Sequence, residues 1–263
     1  MPDLLPHSDF RQRLVLWWRN VIARPLANAL LTQACALCNR PAGQDPICPD
    51  CAKDLPTLPA TRCECCALPL TGGLAHCPDC ARHPPHFDSV CAVWTYDFPV
   101  DTLIRDFKYG HHLYLGRFFA DHLAQALKHQ WGCNRQPHPD LVVPMPLHPN
   151  RLKTRGFNQA AEIARLVAAN LDMRCDFDTL IRLNDTPPQA GLHRDERWHN
   201  LVGAFACPQP LNARHILLID DVLTTGASLS ACADALRQAG AVHIDVAVIA
   251  RTPAADAPHH SLR

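Results

Sequence analysis

Asp220 and Asp221 stand side by side, followed after two apolar residues by Thr224, Thr225, Gly226, Ala227 and Ser228. Two carboxylates, three hydroxyls and a glycine within nine residues are a set that can bind a polar ligand. At a strand-to-helix corner the free N–H groups of the loop and the helix start attract an anion, and a glycine lets the backbone approach it closely. The hydroxyls add donors. Carboxylates touching a phosphate would repel it, so Asp220 and Asp221 are expected to accept hydrogen bonds from sugar hydroxyls or to hold Mg²⁺. The ligand implied is a phosphorylated ribose. An acidic strand end with an ordinary helix cap is the plainer alternative, and it leaves the threonines and the glycine unexplained.

A second set of residues points to metal. Cys35 and Cys38 are followed by Cys48 and Cys51, and Cys63 and Cys66 by Cys77 and Cys80. Each Cys-x₂-Cys knuckle lets two thiolates grip one ion from a tight turn, and two knuckles complete a tetrahedral set. Four knuckles imply two Zn²⁺ ions, structural because no coordination position is left open. Consecutive pairing is expected, although spacing leaves an interleaved pairing open, and Cys65 is an alternative to Cys63 or Cys66. Cys91, Cys133, Cys175, Cys207 and Cys232 read as buried small apolar groups.

The elements that must position these residues can be read from periodicity. Ile216 to Ile219 form a continuous apolar run that suits a central parallel strand. Residues 227–240 read as a helix closed by Gly240, with Leu229, Ala233, Leu236 and Ala239 on one side. Upstream, "VCAVWTY" and "DLVVPMP" read as strands, "PVDTLIRDFKY", "LGRFFADHLAQALKHQ" and 158–170 as helices, and "TLIRL" and "GAFAC" as further strands; downstream, "HIDVAVIA" reads as a final strand. Strands alternating with helices predict an α/β fold with a doubly wound, mostly parallel sheet, preceded by a small Cys-rich zinc-ribbon module. Ligands of such sheets sit at the carboxyl ends of the strands.

Of the 263 residues, 25 are basic and 25 acidic, so no global field attracts nucleic acid and only a local patch can do so. Nine of the 14 cysteines lie between Cys35 and Cys80, and without a signal peptide that clustering favours metal over disulfides and a cytoplasmic location. The expected division is an amphipathic N-terminal helix (1–34), a double zinc ribbon (35–83), an α/β domain (88–253) and a flexible tail (254–263). Arg19, Arg24 and Pro25 interrupt the first apolar stretch, so a spanning helix is not expected; it packs on the next domain, with a membrane surface or a partner as the alternative.

"LLIDDVLTTGAS" resembles the phosphoribosyl-pyrophosphate (PRPP) loop of type I phosphoribosyltransferases. With "VVPMPLHPNRLKTRGFNQAAEIA", "DTPPQAGLHRDERWHNLVGAF" and the cysteine knuckles, the chain resembles the ComF/GntX family over roughly residues 35–251. The resemblance implies PRPP or a related phosphorylated ribose, with Mg²⁺, at Asp220, Asp221 and Thr224 to Ser228. It places the pyrophosphate on "PMPLHPNRLKTRG". There Arg151, Lys153 and Arg155 recur at every second residue, so an extended loop would aim all three one way; a solvated basic loop is the alternative. Gln189, Arg194 and Arg197 are the catalytic candidates, on a lid that excludes water; Asp195 and Glu196 can instead pair with those arginines.

One departure bears on activity. Purine-salvage transferases carry an Asp where this chain has Thr224, so their general base is missing here. The family association with DNA uptake in natural competence leaves two readings: a phosphoribosyltransferase with unknown acceptor, or a non-catalytic zinc-ribbon protein that binds single-stranded DNA and uses the PRPP fold as a ligand sensor. The basic run from His148 to Arg165, with Arg151, Lys153, Arg155 and Arg165 against Glu162, is the expected DNA patch, and DNA-uptake proteins are the expected partners.

Overall fold

The structure is a computed structural model, and it describes residues 33–253 apart from 71, 111, 135–136, 185–200, 202 and 213. The first 32 residues, the segment with Gln189, Arg194 and Arg197 that is expected to act as a lid, and the residues from 254 therefore lie outside the described residues. The chain divides into two compact units, one ending at Asp54 and one running from Leu55.

The first unit holds β1 (Gln33–Ala34) antiparallel to β2 (Pro41–Gly43) and a short helix α1 (Pro49–Lys53). The second opens with α2 (Pro78–Arg82), built on "CPDCAR" much as α1 is built on "CPDCAK". In both, a proline in the first turn follows an extended cysteine, which starts the helix without losing a needed N–H.

The main sheet has four strands in the order β3-β8-β7-β4, all parallel: β3 (Ser89–Thr95), β4 (Leu141–Pro144), β7 (His215–Leu223) and β8 (His243–Arg251). Ile216, Leu218, Ile244, Val246 and Val248 share one core with Leu229, Ala233 and Leu236 of helix α7 (Ala227–Gln238). The alternate residues Leu217, Ile219, Ala247 and Ile249 are equally buried on the other face. Strands covered on both faces explain why the sequence reads as unbroken apolar runs rather than as alternation. The expected doubly wound architecture is observed.

Helix α4 (Tyr114–Asn134) packs on α6 (Gln159–Leu171) and on β3, and α6 packs on β4 and β7. Trp94 of β3 stacks on Phe118 with centroids 5.7 Å apart, and Phe107 of α3 (Val100–Tyr109) meets Phe119 edge to face at 5.8 Å. A small separate antiparallel pair, β5 (Ile181–Arg182) and β6 (Phe205–Ala206), packs through β6 against α7.

Two expectations change. The segment after β4 is not an extended loop: Pro149–Arg155 forms helix α5, started by Pro149 with the His148 ring accepting from the Asn150 N–H, and closed by Gly156 at φ 81°. Pro at the first turn and a left-handed glycine at the end are ordinary helix signals, and here they outweigh the basic alternation. The lone cysteines are also not uniformly buried. Cys91 and Cys232 are, but Cys175 and Cys207 are partly exposed and Cys133 is exposed near the end of α4. Among the described residues no helix is long and apolar enough to cross a membrane.

Candidate functional site

Strand β7 runs straight into the acidic pair. The Asp220 carboxylate accepts from the Asp221 N–H at 2.8 Å, and Asp221 points to Lys108, whose Nζ lies 2.9 Å from its Oδ1. The chain then turns through Thr224 and Thr225 to Gly226, which caps α7 in the left-handed conformation at φ 80°. A Cβ there would meet only ordinary contacts, so backbone conformation, not space, calls for glycine. The Thr225 hydroxyl accepts from the Ala227 N–H at 3.4 Å.

The second wall comes from α5 and the start of α6. Asn158 caps α6 by accepting from Ala161 N–H, and its amide donates to the Met145 carbonyl at 3.0 Å. That clasp brings the helix start back to the end of β4. Arg151 and Arg155 are four residues apart on α5 and so share a face. Lys153 lies roughly half a turn away and is exposed.

Between these walls is a cavity of about 140 Å³ whose lining includes Arg151, Arg155, Gln159, Asp220, Asp221 and Ser228. Lys108 and Arg182 line it as well. Thr224, Thr225, Gly226 and Ala227 form the corner beside it without lining it, and Lys153 is likewise outside the lining. Four cations thus face two carboxylates across one cavity, a surplus of positive charge that suits an anion.

Lys108, Arg182 and Gln159 were not singled out from sequence. Lys108 lies in the last turn of helix α3, in a stretch with no binding motif. Arg182 lies on β5 with its guanidinium 5.5 Å from the centre of the Phe205 ring. Gln159 is 1% exposed: its Oε1 accepts from Arg155 at 3.2 Å, while its Nε2 has no hydrogen-bond partner among the described residues. A buried amide donor left unmet costs about 1–3 kcal/mol, so a ligand oxygen in the cavity would relieve it. Arg155 also donates to the Tyr109 hydroxyl at 3.0 Å and lies over that ring.

The electrostatics follow from this enclosure. Burial, then the adjacent Asp221 charge, pushes the Asp220 carboxyl up to about 7, against the pull of Lys108 and Arg182. Burial works against the Lys108 ammonium, yet Asp221 and Asp220 hold its pKa above the ordinary lysine value. Arg165 of the expected DNA patch donates twice to Glu162, at 2.6 and 3.2 Å, an exposed ion pair on α6.

The cysteines resolve into two sets. Sulfurs of Cys35, Cys38, Cys48 and Cys51 converge in one, and those of Cys63, Cys66, Cys77 and Cys80 in the other, so the pairing is consecutive. A Zn–S distance of about 2.3 Å places tetrahedral sulfurs about 3.8 Å apart. The Cys38–Cys48 and Cys66–Cys77 separations are 3.7 and 3.8 Å, so both sets fit structural zinc. Asn39 and Ala67, each following the second cysteine of its knuckle, take positive φ, which closes the turn back on the site. Cys65 turns instead toward His76, 3.4 Å away. Buried Arg251, the last residue of β8, donates to the Cys66 carbonyl at 2.8 Å and to that of Leu223 at 3.1 Å, tying the second set to the end of the sheet. The Cys66 thiol is pulled down to about 4, first by a hydrogen bond from Cys80 and further by the Arg251 charge, against its burial.

Residues 26–93 match the family described as double zinc ribbon domain. The DNA utilization protein YhgH of Escherichia coli is 30% identical over 220 residues, covering 83% of this chain and 96% of that protein. Competence protein F of Haemophilus influenzae is 29% identical over 208 residues, covering 78% and 90%. The solved structure of a purine phosphoribosyltransferase from Pyrococcus horikoshii is 13% identical, covers 54% of this chain and 92% of its own, and has a TM-score of 0.32, a likeness too slight to bear on the site.

Proposed function

Because the chain belongs to the ComF/GntX family, we propose that it binds PRPP, or a closely related phosphorylated ribose, with Mg²⁺ at the mouth of β7, in the service of DNA uptake and utilization. The observation that carries this reading is the convergence of Asp220, Asp221 and Ser228 with Arg151, Arg155 and Lys108 around one cavity. The acids suit ribose hydroxyls and a hard divalent cation, and the arginines suit pyrophosphate, for which planar, forked donors are well matched. Mg²⁺ would be held by the ligand's phosphates together with Asp220 or Asp221, and when bound it neutralises phosphate charge. The buried Gln159 amide adds a neutral donor.

The proposed reaction class is transfer of the phosphoribosyl group, with pyrophosphate leaving, to an acceptor that the cavity lining does not name. The DNA role draws on the printed names of the relatives, a competence protein and a DNA utilization protein. Tyr109, exposed and stacked with Arg155 beside the cavity, supports a contact with a nucleobase or a single strand there.

Calorimetry with PRPP and Mg²⁺ on folded protein tests the reading. Heat of binding that is lost in Asp221→Asn supports it, and no heat at about millimolar ligand, the weakest affinity of interest, refutes it.

A further inference from the structure

At the opposite end of the same sheet lies a cluster that the phosphoribosyl site does not use. His215 and His243 are the first residues of β7 and β8 and are paired across the two strands; Asp245 follows two residues after His243. Cross-strand partners and residues two apart share a sheet face, so all three project together. His215 is 7% exposed and Asp245 3%. His215 Nε2 lies 2.9 Å from Asp245 Oδ2, and His243 Nε2 lies 3.2 Å from Asp245 Oδ1. The cluster is five residues along β7 from Asp220, about 16 Å at the usual rise of a strand.

We propose that His215, His243 and Asp245 form a binding site for a divalent transition-metal ion, Zn²⁺ in the first instance. One donor atom from each lies within 4.8 Å of the others. A Zn²⁺ ion about 2.1 Å from each donor holds them about 3.4 Å apart; the 2.9 and 3.2 Å separations run to different oxygens of Asp245, so the carboxylate turns to present one oxygen, or uses both, to an ion shared by the two rings. Two imidazoles and one carboxylate are the donor types that zinc takes when one position stays open to water. The Ser89 hydroxyl donates to Asp245 Oδ1 and holds that carboxylate.

The surroundings of His243 place a carboxylate near its far nitrogen, whereas the Nδ1 of buried His215 has no hydrogen-bond partner among the described residues. His243 Nδ1 lies 3.6 Å from the Asp88 carboxylate, and Asp88 is held by Arg237 at 2.7 Å. A carboxylate on the far nitrogen orients a ligating histidine and raises its basicity. The His243 side chain, 38% exposed, leaves an ion a way in. An ion here would fasten the amino ends of the two central strands.

The test uses full-length protein with both cysteine sets loaded, titrated with Zn²⁺ against a chromophoric chelator. Wild type should take up a third equivalent at about 10 µM free zinc or below, and the occupied site should raise the melting temperature. His243→Ala and Asp245→Asn should stop at two equivalents while keeping the two cysteine-bound ions and an unchanged far-ultraviolet spectrum. His243 is the safer variant because it is the more exposed of the two. With Co²⁺ as probe, the third equivalent should lack the intense thiolate charge-transfer band of the cysteine sites. Uptake that stops at two in wild type overturns the site. So does a third equivalent that survives His243→Ala, which would be an ion on other surface histidines, or one that carries the thiolate band, which would point to Cys65 and His76.

Discussion

Replacing Lys108 by Met removes the ammonium that lies 2.9 Å from Asp221 and leaves the acidic pair facing each other without it. At an effective dielectric constant of about 20 the gross attraction at that distance is about 6 kcal/mol. Desolvation offsets much of this, but the loss of one partner from a buried pair costs about 3–5 kcal/mol because the other charge stays behind. With side chains 19% and 12% exposed, the lower end of that range applies. Lys108→Met should therefore destabilise the second unit by about 3 kcal/mol. Asp221→Asn removes a charge whose lysine can still face Asp220, and should cost about 1–2 kcal/mol. The double variant should be no less stable than Lys108→Met alone, giving a coupling of at least about 1 kcal/mol. Urea unfolding near neutral pH, with zinc in the buffer, measures all four proteins. If the two single costs add to within about 0.5 kcal/mol, the pair is not coupled and the electrostatic account of the cavity fails.

Asp220 gives a pH signature of the same cavity: an acid whose folded pKa is raised to about 7 keeps a proton that the unfolded chain releases, so stability falls as pH rises from about 4 through about 7. Asp220→Asn should thus stabilise the protein at about pH 8, by up to about 4 kcal/mol, and have little effect near pH 4; the opposite trend in unfolding midpoints would contradict the assignment. In PRPP calorimetry, Arg151→Ala and Arg155→Ala should each weaken binding tenfold or more, and Lys153→Ala by less than about twofold, since only the arginines line the cavity. Equal losses at all three would restore the extended-loop geometry. In protein dialysed free of loosely held metal, elemental analysis should find the two cysteine-bound zinc ions per chain, and Cys66→Ser should lower the melting of the second unit, which Arg251 links to that site, whereas Cys38→Ser should loosen only the first. A zinc content below about one per chain would remove the cysteine assignment.

Much of this molecule is local, and what is local can be read from its residues. The apolar run from Ile216 to Ile219 suited a doubly covered strand, because a strand buried on both faces carries apolar residues in succession rather than in alternation. The acidic pair and the glycine corner follow it within a few bonds, and the Cys-x₂-Cys spacing fixes the bite of each knuckle. Even helix α5 announced itself through Pro149 and Gly156, although the alternation of its basic residues suggested an extended loop.

What depended on tertiary structure is who meets whom. Lys108 reaches Asp221 across more than a hundred residues, Arg182 arrives on β5, and Gln159 is held in place by Arg155. No spacing rule encodes those encounters, because they arise from the order β3-β8-β7-β4 and from the helices folded over it. The same holds for Arg251 beneath Cys66 and for the consecutive pairing of the knuckles, which spacing left open. Strand register likewise brought His215 beside His243 and Asp245. Covalent neighbours set the chemistry available at each turn of the chain, while burial and charge pairing between distant segments decided which of those groups share a cavity and in what protonation state.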